Sequence, residues 1–193
     1  MLNEIELLAQ IIFLLPVAAF TVLALCHHRL PGHGDLTATS VLGTSLVLSV
    51  AVFLAALHAP DNILVNISFP WLAAGEASIL SGGILVDKLT AVMLVVVTLV
   101  SFLVHLFSVK YMEGDARYGR YYCGLLLFTA SMLGLVLANN MLYLFIFWEL
   151  VGLSSYVLIG HWFEKKCAAD AAIKAFITTR IGDIGMLIGI LIC

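Results

Sequence analysis

The chain has 193 residues, 63% of them hydrophobic and only 11% charged, with a mean hydropathy of +1.12 and a formal net charge of −3. A soluble domain is roughly 45–50% apolar and about 25% charged, so these proportions exclude a water-soluble fold and identify an integral membrane protein. At about 20 apolar residues per crossing the length suffices for about six spanning helices, and no basic stripe points to a nucleic-acid partner.

The first apolar segment, about 5–26, follows the acidic start MLNEIELL, where a cleavable signal would be basic, so it is expected to be retained as a span. A polar link, HHRLPGHGD (27–35), leads to the second segment, 36–58. The long link 59–83 contains alternating pieces such as ILVNISF, which predict a small hairpin at the membrane surface. The third segment covers 84–108, and the polar link KYMEGDARYGR (110–120) precedes the fourth, 121–138. A tight ANN turn (138–140) introduces the fifth, 141–160, and the mixed link HWFEKKCAAD (161–170) introduces the sixth, 172–193. All six are predicted helical, because a spanning segment satisfies its own backbone and no barrel-like alternation runs through them. The last run, MLIGILIC, ends without a cap or a charge, and the expectation is a chain that stops before its fold does. Two parts are expected: residues 1–83, two spans and the outer loop, and residues 84–193, the remaining four spans.

Six of the nine cations (Arg29, Lys110, Arg117, Arg120, Lys165 and Lys166) fall in the links after the first, third and fifth spans. The other links and the N-terminus carry none, so by the positive-inside rule the N-terminus faces out. Trp162, Tyr111, Tyr118, Tyr121 and Tyr122 gather at the same inner boundary, as an anchoring aromatic belt would. The cysteines, Cys26, Cys123, Cys167 and Cys193, are scattered without metal-ligand spacing and read as packing residues.

The remaining cations, Lys88, Lys174 and Arg180, lie in or at the edge of spans. Glu149 stands about 11 residues from the inner end of the fifth span and Asp183 as far into the sixth, which at a 1.5 Å rise puts both roughly 16 Å deep, near the midplane. An uncompensated ion there costs at least about 2.5–3.5 kcal/mol, so such groups face other helices or internal water. Arg180, three residues before Asp183, shares its helix face and reads as its partner. Glu149 then lacks a local countercharge. For a buried carboxyl, desolvation favours the protonated form and an approaching cation the ionised one, and a group that alternates between the two carries protons. The plain alternative is a protonated core acid held by Ser154 or Ser155. Arg180 with Asp183 also fits a structural ion pair, Lys174 a snorkelling interfacial cation, Asp87 and Lys88 interfacial placement, and His105 an interfacial histidine or a relay. Gly152, one turn from Glu149, would let a neighbouring helix approach closely or the helix locally loosen.

FWELVGLSSYVLIGHWF (147–163) and AAIKAFITTRIGDIGMLIGI (171–190), with ILVDKLTAVML (84–94) and FLVHLFSVKYMEGDARYGRYY (102–122) before them, resemble the antiporter-like proton-pumping subunit of respiratory complex I. That subunit is called L in bacteria, 5 in mitochondria and F in chloroplasts. The resemblance runs from about residue 84 to the end and is loose before that. It implies inverted repeats of five helices with broken helices at mid-membrane. Glu149 matches the family glutamate that partners a lysine on the seventh span, Arg180 and Asp183 match its arginine and aspartate, and Lys174 matches its lysine in the same motif. The seventh-span lysine has no counterpart, and members of the family are several times longer. By this resemblance the chain is part of a proton-translocating subunit of an NADH:quinone oxidoreductase in the cell inner membrane or an organelle inner membrane. It would carry no cofactor itself, while partner subunits hold FMN and iron–sulfur clusters with quinone as acceptor. Sodium/proton antiporters and bicarbonate-accumulating complexes share the ancestry and form the second reading. A non-pumping structural fragment is the third.

Overall fold

The computed structural model describes residues 2–26, 31–60, 62–74 and 77–192. Among these, six helices long and apolar enough to cross a membrane follow one another: α1 (Leu2–Cys26), α2 (Asp35–His58), α3 (Lys88–Tyr111), α4 (Tyr118–Leu137), α5 (Met141–Ile159) and α6 (Lys166–Ile192). A short 3₁₀ turn, Pro31–Gly34, leads into α2. Between α2 and α3 the expected hairpin is present: β1 (Ile63–Ala74) pairs antiparallel with β2 (Ala77–Asp87).

Local chemistry sets several boundaries. The third span begins at Lys88 rather than 84, because residues 84–87 still belong to β2 and Asp87 caps the helix, accepting from the Thr90 amide at 2.6 Å. A division of the chain at 83/84 therefore passes through a strand. The fourth span starts at Tyr118, three residues before the expected 121. Asn140 caps α5 by accepting from the Tyr143 amide at 2.8 Å, which lets a short turn end one span and start the next. The sixth helix starts at Lys166, six residues before the expected 172, because KCAAD is itself helical.

Two apolar clusters hold α1–α4 together. At the hairpin end, Ile5, Ala9 and Ile12 of α1 meet Val52, Leu64, Val86, Leu94 and Leu133. At the opposite, basic end, Leu23 of α1 and Leu42 of α2 pack on Tyr122 and Leu126 of α4. The hairpin is fixed to the α4–α5 turn by Asn139, whose amide donates to Ile67 O at 3.1 Å and Ser68 Oγ at 2.9 Å. Gly134 leaves the space into which the Phe147 ring packs, so α5 lies close on α4. Beyond this junction α5 is mostly half-buried and α6 mostly exposed along its length.

The basic end is not a plain aromatic belt. Tyr111 and Trp162 are exposed, as an anchor requires, but Tyr122 is fully buried and donates to the His105 carbonyl at 3.0 Å. Tyr118 donates to Asp35 at 2.9 Å, joining α4 to α2. Lys110, Arg117, Arg120, Lys165 and Lys166 all sit at this end, while Arg29 lies outside the described residues.

Candidate functional site

Helices α5 and α6 run antiparallel, and their charged groups fall at one depth. Arg180 contacts Glu149 through Nη1, and its other neighbour, Asp183 Oδ2, is 4.0 Å away. Asp183 is buried and accepts a hydrogen bond from the Trp148 indole at 2.8 Å. The Arg180 guanidinium also lies 4.6 Å from the Phe176 ring centroid, a cation–π contact on its own helix.

The pairing includes the one that spacing implies and adds a closer one. Arg180 and Asp183 do share a helix face and pair, but the guanidinium turns across to Glu149 more closely, so Glu149 has a countercharge and Asp183 takes an indole N–H as well. An arginine can do this because its planar fork offers several donors at the end of a long stem, whereas the short Asp183 side chain stays beside its own backbone. Ser154 and Ser155 do not hold Glu149: both donate to Val151 O, at 2.9 and 2.8 Å. Trp148 is the member that reading charges misses. A tryptophan at mid-span, away from both interfacial belts, was the available signal.

The other two candidates stand apart from this cluster. Lys174 is exposed, six residues and so about 9 Å of helix rise nearer the basic end than Arg180, and among the described residues it forms no ion pair. His105 is buried between α3 and α4, with Nδ1 2.8 Å from Ser101 O and its ring 5.6 Å from that of Tyr122. Gly152 gains no close neighbour, since nothing lies within 4 Å of a Cβ built there. Asp87 is the α3 cap already described.

At the basic end a second polar group ties the loops together. Asp115, between α3 and α4, accepts from the Arg117 amide at 2.7 Å and the Trp162 indole at 2.9 Å, and His161 Nε2 is 3.3 Å away. The Arg117 amide, followed by the indole and the histidine, holds its carboxyl below the usual carboxylate range. Arg117 also meets Glu164 at 2.5 Å and lies over the Phe163 ring.

Chemically, the α5–α6 cluster is one permanent cation facing two carboxyl groups. With both acids ionised its charge is negative by one, and one added proton makes it neutral.

Residues 71–122 match the model of NADH-Ubiquinone oxidoreductase (complex I), chain 5 N-terminus, and residues 138–193 match that of NADH:quinone oxidoreductase/Mrp antiporter, TM. The chain is 46% identical over 190 residues to F(420)H(2) dehydrogenase subunit L of Methanosarcina mazei, covering 98% of this chain and 27% of that one. It is 47% identical over 152 residues to NAD(P)H-quinone oxidoreductase subunit 5, chloroplastic, of Mesostigma viride, covering 79% of this chain and 23% of the relative. It thus spans about a quarter of the length of these relatives. In fold it is similar to a chain in the structure of the membrane-bound sulfane sulfur reductase, an archaeal respiratory membrane complex. There the TM-score is 0.77 at 19% identity, over 94% of this chain and 36% of the other. One family model takes in the third span and the start of the fourth, the other the fifth and sixth, and the relatives agree with both, so the chain belongs to the antiporter-like membrane subunits of which quinone oxidoreductase subunit 5 and F(420)H(2) dehydrogenase subunit L are members.

Proposed function

We propose that this chain forms part of a proton-translocating membrane subunit of a respiratory oxidoreductase complex, and that Glu149, Arg180 and Asp183 are its proton-handling groups. The observation that carries the reading is one arginine shared by two carboxyl groups of different helices at mid-span. A purely structural bridge needs one acid, and the second provides a place for a proton when the guanidinium turns away. Lys174 and His105, apart from the cluster, act at the approaches to it.

Electron transfer belongs to partner subunits, with FMN, iron–sulfur clusters and quinone as acceptor, and reaches this chain as movement and charge. The basic end faces the cytoplasm or its organelle equivalent, and the N-terminus lies outside. A second reading is favoured by the Mrp antiporter half of the family model that matches residues 138–193: the same cluster would serve sodium/proton exchange without electron transfer.

The test is Glu149→Gln in the whole complex in inverted membrane vesicles, with proton uptake followed by a pH-sensitive dye as the electron donor is oxidised. Uptake below about a tenth of normal in a complex that still assembles is expected. Normal uptake would overturn the role of Glu149, and uptake driven by a sodium gradient without donor would favour the exchanger.

A further inference from the structure

Helices α4, α5 and α6 leave a cleft between them at the basic end. A cavity of about 330 Å³ lies there, bounded by Arg120 of α4, by Tyr156 and Val157 of α5, by Gly160 and Phe163 of the following link and by Ile173 of α6. That volume falls within the roughly 300–1,000 Å³ of ligand sites. Arg120 and Phe163 stand at the helix ends and so at the mouth, while Val157 and Ile173 lie deeper along their helices. Below Ile173 an apolar face continues down α6 through Ile177, Ile181 and Ile184, all exposed.

The charges at the mouth are unevenly matched. Lys110 meets Glu113 and Arg117 meets Glu164, both at 2.5 Å. Among the described residues Arg120, Lys165 and Lys166 have no carboxylate at ion-pair distance, and all three are exposed. Asp170 on α6 offsets one of them, and the mouth stays positive. The Arg120 guanidinium lies 5.6 Å from the Phe163 ring centroid and that of Arg117 lies 4.4 Å from the same centroid, so one ring holds two cations side by side. An anion beside Arg120 relieves their repulsion. Arginine suits phosphate in particular, because its planar fork gives two parallel donors.

We infer that this cleft seats a membrane phospholipid with an anionic headgroup, its phosphate on Arg120 and one acyl chain in the groove of Val157 and Ile173. A basic pocket between spans, open to the inner side of the membrane, takes such headgroups. A free phosphate would meet the cations and leave the apolar walls unfilled, and a zwitterionic lipid brings a cation of its own to a mouth that is already positive. Depth agrees as well. Tyr156 is four residues, about 6 Å of helix rise, deeper than Gly160, and the layer between water and hydrocarbon is roughly 5–7 Å thick on each side of a bilayer. The phenol thus stands at the level of an acyl ester, and among the described residues its hydroxyl has no hydrogen-bond partner, so it can donate to the ester carbonyl. Tyr156 is also seven residues, about 10 Å of rise, from Glu149, so lipid binding stands or falls separately from proton handling.

The test places the whole complex in phosphatidylcholine vesicles that contain a small share of phosphatidylglycerol carrying a photoactivatable group on one acyl chain, and maps the cross-linked peptides by mass spectrometry. Labelling of Val157 and Ile173 is expected. A probe with the same chain and a phosphatidylcholine headgroup should label them several times less. Arg120→Gln should lower labelling by phosphatidylglycerol about fivefold, the worth of one arginine at an anionic lipid surface, and Arg120→Lys should restore part of it. Val157→Trp fills the groove from the other side of the argument, without touching a charge, and should remove the label from Ile173. Excess unlabelled phosphatidylglycerol should displace the probe, whereas inorganic phosphate should not. Equal labelling by the two probes, or labelling unchanged in Arg120→Gln or Val157→Trp, would overturn the site. Displacement by inorganic phosphate would make it a seat for a free anion, and no label from either probe would mean that protein covers the cleft; each result also overturns it.

Discussion

The helices α1–α4 and the pair α5–α6 share one habit, hydroxyls bonded back to their own helix, and differ in their charged groups. In the first region most serine and threonine hydroxyls return to their own helices, Ser49 to Ser45 O, Thr98 to Leu94 O, Ser108 to Val104 O and Ser131 to Leu127 O, all at 2.7–2.8 Å, and only neutral groups such as Thr129 and Tyr122 reach across to α3. Those bonds satisfy each donor locally, and a hydroxyl neither gains nor loses a proton at neutral pH. In α5–α6 the mid-span groups are ionisable and satisfied across the helix pair, so each depends on where the other helix stands. A close-packed region holds a frame, and a loosely packed pair with shared charges permits more than one arrangement.

The sharpest way to break this contrast is Arg180→Met. Without the cation two carboxyl groups face each other at mid-span, a loss of about 2 kcal/mol or more. Proton uptake in vesicles should fall below about a tenth of normal, and less complex should be recovered on a native gel. Arg180→Lys keeps the charge without the planar fork and should restore part of both. Normal uptake by the Met variant would mean that the pair is as inert as the hydroxyls of α1–α4.

A smaller effect is expected from Trp148→Phe, which retains an aromatic ring and deletes the donor to Asp183. The charge-assisted bond is worth about 1.5–3 kcal/mol to the ionised carboxyl. Uptake should fall two- to fivefold with assembly intact. Uptake equal to that of the unaltered complex would assign Trp148 to packing.

Much of this was legible in the residues, and the failures have physical causes. Hydropathy located six spans because backbone satisfaction in lipid leaves few alternatives. Equal depth for Glu149 and Asp183 came from counting at 1.5 Å per residue, and the two are neighbours in space through Arg180 and Trp148. The error at 84–87 arose because ILVD is apolar enough for either element, and only pairing with β1 decides it. The second partner of Arg180, Glu149, was not legible, because helix spacing tells which residues share a face, as Asp183 does, but not how far a long side chain reaches across to the next helix. Trp148, Tyr122 and the Asp115 junction escaped for a related reason: Tyr122 and Trp162 read as a belt at the inner boundary and Trp148 carries no charge to draw notice, while the partners of these aromatic side chains lie 17 to 47 residues away.

The smallest effect concerns Asp115, which connects the two regions by accepting from Trp162 of the α5–α6 link as well as from Arg117 of its own loop. Its carboxyl is held below its ordinary value of 3.8 in the fold. A depressed value means that the ionised form stabilises the folded chain at every pH above that of the unfolded carboxyl, and that this contribution is lost as pH falls through the folded value. Asp115→Asn should therefore lower the melting temperature by about 1–2 °C at pH 7, consistent with roughly 0.5 kcal/mol at a solvent-screened site. The deficit should hold to about pH 5 and close toward pH 3, where the unaltered carboxyl is also losing its charge. Because the bond spans two loops, hydrogen exchange should rise at the start of α6 and at the α3–α4 link while α1 and α2 stay protected. A deficit independent of pH, or exchange that rises evenly through all six helices, would show that the frame and the pair are one cooperative body and that Asp115 is not their joint.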